Sequence, residues 1–246
     1  MKLTIGYLYY DLLNLYGENG NIKILKKQLE NQGISVSVKF LTIDDNLNFD
    51  EYDLIYIGAG TEHNQKLALK HLLKYKKQVK DAIDNNKFFL ITGNSIELFG
   101  KYILDKSKKK HKALEVFKFT TKEEEFRMID EAIFKTDLFK EEMIGFQNQN
   151  SVIRDLKEPF FSVTKGIGSY PNSKKEGIHY KNFYGTYLIG PILARNPLFL
   201  KYFIEELIRS KNTNFKFHKF DLKLEMDAYN TYLEKFYREE KKTTSH

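Results

Sequence analysis

Three apolar segments of the 246-residue chain each run into a short turn that could carry chemistry. The turns are Gly58-Ala59-Gly60, Gly93-Asn94-Ser95 and Tyr187-Leu188-Ile189-Gly190-Pro191. In an open parallel sheet, ligands bind beyond the carboxyl ends of the strands, and turns of this kind lie there. The second turn has the form of a nucleophile elbow, in which a strand leads directly into a helix and presents a reactive side chain. An ordinary strand-to-helix turn has the same pattern, so the pattern alone leaves both interpretations open.

Alternating strands and helices are predicted for residues 3–104 from apolar runs and helical spacing. The predicted strands are Leu3–Tyr9, Ile34–Leu41, Tyr52–Ile57 and Phe88–Thr92. The predicted helices are Asn21–Asn31, one long helix that carries Ala68, Leu72, Val79 and Ile83 on one face, and Gly93–Leu104. This alternation predicts an α/β fold, with a mostly parallel sheet flanked by helices and right-handed crossovers.

The second half of the chain is less regular. Strands are predicted at Leu114–Thr121, Arg127–Phe134, Met143–Gln147, Phe160–Thr164 and Tyr184–Ile189, and helices at Pro197–Arg209 and Leu222–Tyr237. The last helix has an apolar stripe formed by Leu222, Met226, Tyr229, Leu233 and Phe236, which we assign to core packing. No linker interrupts the chain, so we predict a single domain over residues 1–240 and a frayed tail over residues 241–246.

The composition excludes several classes of protein. There are no cysteines, which rules out disulfides, cysteine-ligated zinc and a thiol nucleophile. No apolar run reaches the roughly 18 residues of a spanning helix, and the N-terminus does not resemble a signal peptide, so we expect no membrane insertion and a cytoplasmic location. The formal net charge is +7, but the lysines are spread out, with the densest run at Lys106–Lys112, predicted as a surface loop. We therefore expect no nucleic-acid binding.

Five segments, in order, resemble the motifs of cobyric-acid-synthase-type (CobB/CobQ) class I glutamine amidotransferases, and more narrowly the glutaminase subunit of lipid II isoglutaminyl synthase. They are residues 13–21 (Leu-Asn-Leu-Tyr-Gly-Glu-Asn-Gly-Asn), 58–65 (Gly-Ala-Gly-Thr-Glu-His-Asn-Gln), 93–100, 145–149 and 176–193. Residues 93–100 resemble the elbow Cys-Gly-Gly-Tyr-Gln-x-Leu-Gly, and residues 185–193 resemble Gly-Thr-Tyr-x-His-Gly-Pro-x-Leu. The resemblance spans about residues 3–210 and implies a flavodoxin-like class I amidotransferase fold.

The resemblance implies hydrolysis of the glutamine side-chain amide, with ammonia passed to a partner. That reaction uses a thiolate nucleophile, a histidine general base and backbone N–H groups for the oxyanion. Here Gly93 stands at the nucleophile position and Ile189 at the histidine position, and neither can perform its step. Gln149 also replaces the histidine of the family's Gly-Phe-Glu-Asn-His motif, although that residue is not the general base. The sequence therefore predicts that glutaminase activity is lost.

Some binding features remain. Arg127 aligns with the arginine that positions glutamine in this family, and a guanidinium suits a carboxylate, although a surface strand arginine would look the same. Gly60 and Asn94 lie in turns that offer backbone donors to an anion, so we predict Arg127, Gly60 and Asn94 as substrate-binding residues for glutamine or glutamate. No metal site and no cofactor are expected.

Three functions remain open at this point. The resemblance implies a catalytically inactive partner of a Mur-ligase-like (MurT-type), ATP-using subunit that amidates a peptidoglycan precursor in a heterodimer. The second alternative is an active amidotransferase or other hydrolase with a non-family nucleophile, resting on Ser95, Glu97, His63 or Glu62; rescue by His179 is also considered. The third is an amino-acid sensor that binds through Arg127 without turnover.

Overall fold

The parallel sheet predicted from the first half of the chain is present, and two strands from residues 178–186 extend it at one edge. The computed structural model describes residues 1–235. The six strands of this sheet lie in the order β11-β12-β4-β3-β1-β2, and all neighbouring pairs are parallel except β11 with β12. The strands are β1 (Lys2–Leu8), β2 (Ser35–Leu41), β3 (Leu54–Ile57), β4 (Phe88–Thr92), β11 (Ile178–Tyr180) and β12 (Phe183–Thr186). Strands β3 and β4 are buried throughout, which explains their continuous apolar sequences.

Helices cover both faces of this sheet because successive side chains of a strand point to opposite sides. The helices are α1 (Asn19–Asn31), α2 (Glu62–Leu72), α3 (Lys76–Asp84), α4 (Ile192–Arg195), α5 (Pro197–Arg209) and α6 (Lys223–Leu233). One face packs Ile55 and Ile57 against apolar residues of α2 and α3. The other packs Leu54 and Tyr56 against α1 and α5.

The predicted long helix after residue 60 is wrong in one respect, since it is two helices. A 3₁₀ turn at Leu73–Tyr75 separates α2 from α3. This tighter turn brings the Tyr75 ring to 5.3 Å from the His71 ring and 6.4 Å from the Phe49 ring. The four predicted core residues on the two helices are nevertheless buried, which confirms the predicted apolar stripe.

A second, mixed sheet is built mainly from the irregular half of the chain. Its strands are β5 (Tyr102–Leu104), β6 (Lys110–Lys112), β7 (Thr120–Lys135), β8 (Met143–Arg154), β9 (Phe161–Lys165) and β10 (Lys175–Glu176). Their order is β10-β9-β7-β5-β6, and β8 pairs with β7 in antiparallel register. The pairing shifts between Glu123 and Met128, where the long strand β7 carries a bulge or irregularity.

Two predicted elements around the elbow differ from the structure. The predicted helix Gly93–Leu104 is not continuous: residues Gly93–Phe99 form a 3₁₀ helix, and β5 follows it. The carbonyls of Leu98 and Phe99 accept hydrogen bonds from the following loop, with Leu114 N at 2.9 Å and Phe117 N at 3.0 Å. This loop replaces residues 114–119 of the strand predicted at Leu114–Thr121 and satisfies carbonyls that a helix would have used internally.

The C-terminal helices agree with the predictions where they are described. Helix α5 has the predicted bounds, and α6 covers most of the second predicted helix. Tyr229 and Leu233 of its stripe pack against Ile133 and Ile144. Phe236, Tyr237 and the predicted tail lie outside the described residues. None of the helices in residues 1–235 combines the length and the apolar character needed to cross a bilayer.

Candidate functional site

Strand register brings the three turns singled out in the sequence to one edge of the parallel sheet. Ile57 at the end of β3 pairs with Ile91 of β4, and Thr92 at the end of β4 pairs with Thr186 of β12. The residues that follow each strand therefore start side by side, as expected for the carboxyl ends of parallel strands. The structure thus assembles the site at the place that the sequence indicated.

The elbow at Gly93 has the sharp backbone of a strand-to-helix turn. The φ angle of Gly93 is +60°, in the left-handed region that favours glycine. Its N–H donates to the carbonyl of Leu188 at 3.3 Å, which ties the elbow to the third turn. A nucleophile elbow holds its reactive residue on a similarly strained turn. The backbone geometry of an elbow is therefore present without a nucleophile.

The space in front of Gly93 is filled by two side chains. A Cβ atom built at Gly93 would lie 2.5 Å from the Cβ of Ala59 and 2.9 Å from Cγ2 of Ile189. Ile189 is fixed there by an antiparallel bridge to Phe146, with its N–H donating to the Phe146 carbonyl at 2.9 Å. The two positions at which the motifs predict a lost cysteine and a lost histidine therefore meet in space. Any side chain at residue 93 would therefore require Ala59 or Ile189 to move.

The predicted anion-binding residues Gly60 and Asn94 bind each other. The Asn94 Oδ1 atom accepts a hydrogen bond from Gly60 N at 3.1 Å, and its Nδ2 atom donates to Gly60 O at 2.9 Å. In the family's elbow motif, the residue at position 94 is a glycine, which could not do this. The backbone donor of Gly60 is consequently occupied by the chain itself.

Arg127 is also occupied by a carboxylate of the chain. Its Nη2 atom donates to Glu62 at the start of α2, and its Nη1 atom donates to Asn148 Oδ1 at 3.1 Å. The Asn148 Nδ2 atom in turn donates to the hydroxyl of Tyr16 at 3.1 Å. Glu62 thus takes the interaction that the sequence predicts for the carboxylate of glutamine.

The cavity enclosed by these groups is too small for an amino acid. It measures about 10 Å³ between Tyr16, Gly60, Arg127 and Ile189, close to the minimum for one water molecule. A much larger cavity, about 500 Å³, lies elsewhere, between α3 and the loops around Phe117 and Leu156. The elbow site is therefore closed in this conformation.

The polar residues considered as substitute nucleophiles are engaged separately. Ser95 is buried and donates to the carbonyl of Gly58 at 2.5 Å. Glu97 accepts from Gln65 Nε2 and from the hydroxyl of Tyr187, both at 3.1 Å. A serine nucleophile needs a base within hydrogen-bond reach, and Ser95 has a carbonyl oxygen there instead.

The other candidates are no better placed. Glu62 is held in its ion pair, and His63 is exposed without a hydrogen bond to any of the described residues. His179 lies between aromatic rings, 4.7 Å from that of Tyr184 and 5.7 Å from that of Phe160, and burial lowers its pKa. No hydrogen bond within residues 1–235 joins any two of the proposed substitutes, which counts against an active site built from them.

A buried carboxyl group under the elbow was not recognised from the sequence. Glu18 is fully buried and accepts hydrogen bonds from Tyr56, from Thr92 at 2.5 Å and from Asn21 at 3.3 Å. Burial raises the pKa of Glu18 to about 7, although these hydrogen bonds act in the opposite direction. The signal was available, because Glu18 lies within the N-terminal motif of residues 13–21.

Two further carboxyl groups, those of Glu97 and Glu176, are also buried. Burial raises the pKa of Glu97 and the pKa of Glu176, each to about 7. Glu176 accepts hydrogen bonds from Tyr187 N at 2.7 Å and from Thr186 Oγ1 at 2.8 Å. None of the three carboxyl groups has a cation as its hydrogen-bond partner among the described residues, so each is expected to be about half protonated near pH 7.

We expect neither glutamine nor glutamate to bind at millimolar concentration. Arg127 and Gly60 would have to release Glu62 and Asn94, and the cavity would have to grow well beyond one water molecule. Isothermal titration calorimetry should therefore record only heats of dilution, and neither ligand should shift the thermal midpoint. Saturable heat that disappears in the Arg127→Ala variant would contradict this expectation.

Comparisons with known proteins show the family of the chain. Residues 4–197 match the CobB/CobQ-like glutamine amidotransferase domain. The GatD subunit of lipid II isoglutaminyl synthase (glutamine-hydrolyzing) from Staphylococcus aureus (strain N315) is 31% identical over 240 residues, 98% of each chain. The subunit of the same name from Streptococcus pneumoniae (strain ATCC BAA-255 / R6) is 32% identical over 198 residues, covering 79% of this chain and 76% of the relative.

A solved structure supports the fold. A crystal structure of a glutamine amidotransferase superimposes with a TM-score of 0.51 at 14% identity, over 82% of this chain and 98% of the other. At that identity the likeness speaks for the fold alone, while the sequence matches carry the family. The chain belongs to the CobB/CobQ-like glutamine amidotransferase family and is similar along nearly its whole length to GatD subunits.

Proposed function

We propose that this chain is a non-hydrolysing member of its family that acts as the partner subunit of a Mur-ligase-like, ATP-using enzyme. The observation that carries the proposal is the contact at the elbow, where Ala59 and Ile189 occupy the space that a nucleophile at residue 93 would need. The same site also lacks a free oxyanion donor at Gly60 and a free cation at Arg127. Four separate contacts thus oppose glutamine hydrolysis.

The relatives supply the reaction class. Both are named subunit GatD of a lipid II isoglutaminyl synthase that is described as glutamine-hydrolyzing. We infer that this chain supports amidation of a similar cell-wall precursor in the cytoplasm, with the carboxylate activated by the partner. Because the chain would release no ammonia from glutamine, the partner would take free ammonium, and this chain would stabilise or regulate it as a scaffold.

A reconstituted complex tests this proposal. The chain is co-expressed with the Mur-ligase-like subunit of its own source, and amidation of the precursor is followed with ammonium or with glutamine as nitrogen donor. We expect a rate with ammonium that increases when this chain is present, and no glutamine-dependent rate above that of the ligase-like subunit alone. For comparison, a glutaminase-competent GatD with its own partner should use both donors. Release of glutamate from glutamine in step with amidation would overturn the proposal.

The alternative of an active enzyme with another nucleophile has less support. Ser95, Glu97, His63 and Glu62 form no hydrogen bonds with one another in the described part of the chain. The alternative of an amino-acid sensor is weakened by the closed cavity and by the Arg127–Glu62 ion pair. The calorimetric measurement above distinguishes the sensor from the scaffold.

A further inference from the structure

A lysine-rich hairpin lies directly after the elbow. It comprises residues 101–112, which we call the lysine hairpin, with β5 and β6 as its two strands. The hairpin contains six lysines and one acidic residue, a net charge of +5, compared with +7 for the whole chain. All six lysines are exposed. The hairpin is therefore one of the most positively charged short segments of the chain, although the sequence predicted only a solvated surface loop.

These six lysines form no ion pair with any of the described residues. Nearby acidic residues are already paired with lysines from outside the hairpin. Glu115 lies 2.9 Å from Lys76, buried Glu123 lies 2.7 Å from Lys66, and Glu124 is paired with Lys122. These carboxylates are therefore shared with lysines from outside the hairpin, and Glu115 also interacts electrostatically with Lys101 and Lys112.

The turn that carries the lysines is ordered from within. Asp105 is the single acidic residue, and its carboxylate accepts from Ser107 Oγ at 2.7 Å and from Lys109 N at 2.9 Å, and contacts His111 Nε2 at 2.7 Å. These bonds hold the pKa of Asp105 well below its usual range, with the His111 interaction as the largest cause. The backbone N–H of Lys108 donates to the Asp105 carbonyl at 2.9 Å, which closes the turn. The lysines therefore extend from a fixed backbone.

We infer that the lysine hairpin docks the protein on the surface of an anionic lipid bilayer. Unpaired lysines gathered in one place attract anionic lipid headgroups, and each adds to the attraction. The inference rests on the proposed function, because a lipid-linked precursor would be presented at such a surface. Nucleic acid fits less well, since the one Tyr, Phe or Trp ring of the hairpin, Tyr102, is covered by Lys110 Nζ at 3.8 Å and is not open to stacking on a base.

Vesicle co-sedimentation of the full chain tests the inference. The vesicles contain phosphatidylcholine alone or with about one third phosphatidylglycerol. We expect binding to the anionic vesicles only, lost on addition of salt, and reduced about tenfold in the variant K108E/K109E/K110E. A matched control is K216E/K219E/K223E, which reverses three exposed lysines that form no ion pair with described residues and should keep wild-type binding. Circular dichroism and thermal melts of each variant establish that it is folded.

Several outcomes would overturn the inference. Equal binding to neutral and anionic vesicles would remove it, as would equal losses in the hairpin variant and the control. Competition by inorganic phosphate, at an ionic strength matched with chloride, would indicate a site for free phosphate. Tighter, hairpin-dependent binding of a short DNA duplex would assign the hairpin to nucleic acid. Ammonium-dependent amidation of a soluble precursor analogue separates the two failures. If only this inference fails, the hairpin variant still amidates the analogue at the unaltered rate. If the proposed function fails, no amidation is observed with either protein.

Discussion

Substitution of Gly93 by alanine is expected to lower the free energy of unfolding by about 3 kcal/mol. About 1 kcal/mol comes from the left-handed backbone, because Gly93 has a φ of +60° that L side chains rarely adopt. The larger part comes from overpacking, since the new Cβ would lie 2.5 Å from that of Ala59. Urea denaturation followed by circular dichroism measures the change.

Gly33 provides a matched control for the backbone contribution. Its φ is +77°, but nothing lies within 4 Å of a Cβ built there. Gly33→Ala should therefore cost only about 1 kcal/mol. The double variant A59G/G93A should recover part of the loss, because it removes the nearest atom. If Gly93→Ala and Gly33→Ala cost the same, then the contact with Ala59 and Ile189 has no energetic consequence, and the main support for the proposed function is gone.

The same contact predicts how the chain responds to restoring its missing groups. The G93C/I189H variant should release glutamate from glutamine no faster than the unaltered chain. The cysteine would collide with Ala59, Gly60 would remain bonded to Asn94, and Arg127 would remain bonded to Glu62. Catalysis requires the nucleophile, base and oxyanion donors to be positioned together, so two residues are insufficient. A thousandfold rise, of the order that one catalytic group can contribute, would show that the site is intact apart from two side chains.

The sequence correctly predicted that the three turns meet at one edge of the parallel sheet, but it did not predict that the space between them is filled. The bounds of β4 and α5 are as predicted, since a buried apolar strand and a helix with a regular stripe leave strong local patterns. The motifs also indicated that Gly93 and Ile189 share one cleft, and the two residues are in contact. Their equivalence to a catalytic cysteine and histidine stays a prediction from those motifs.

Closure of the elbow site depends on contacts between residues that are far apart in the sequence, and local sequence patterns do not reveal such contacts. The Arg127–Glu62 ion pair joins residues 65 apart in the sequence. Whether Ala59 blocks a side chain at residue 93 depends on the φ angle of Gly93, which sets the direction of a Cβ atom at that residue. The second sheet was also missed as a unit, because β7 is 16 residues long and its pairing shifts between Glu123 and Met128, which breaks the alternation of buried and exposed side chains. Long-range ion pairs and strand pairing of this kind depend on the tertiary structure and not on the local sequence.

The stability of the protein is expected to fall as the pH rises from 6.5 to 8. Glu18, Glu97 and Glu176 each have a folded-state pKa raised to about 7 by burial. In the unfolded chain a glutamate titrates near pH 4.3, so between these values the folded state binds more protons than the unfolded state. Their contribution is therefore fully present below the unfolded pKa and is lost as the pH rises through about 7. For three such groups the loss between pH 6.5 and 8 is about 2 kcal/mol.

At lower pH, other titrating groups change the stability in the opposite direction. Burial lowers the pKa of His71 and His179, and the stability that these histidines contribute is lost as the pH falls through their titration range. Exposed carboxylates with lowered pKa values, such as Glu51 and Glu115, also lose their contribution only in acid. Between pH 6.5 and 8 the two histidines offset part of the loss, because an unfolded histidine is still about half protonated at pH 6.5, but the three buried carboxyl groups dominate the slope.

Glu97→Gln isolates one of the three groups. The amide keeps the shape of the carboxyl group and its hydrogen-bonding partners Gln65 and Tyr187, since the tyrosine hydroxyl can accept as well as donate. The variant should be more stable than the unaltered chain at pH 8, and its stability should fall about one third less between pH 6.5 and 8. Urea midpoints measured across this range, with the exposed Glu125→Gln as control, test both statements. A slope that is the same in all three proteins would mean that Glu97 is ionised throughout, and that the buried layer beneath the elbow tolerates a charge that its surroundings do not offset with a cation.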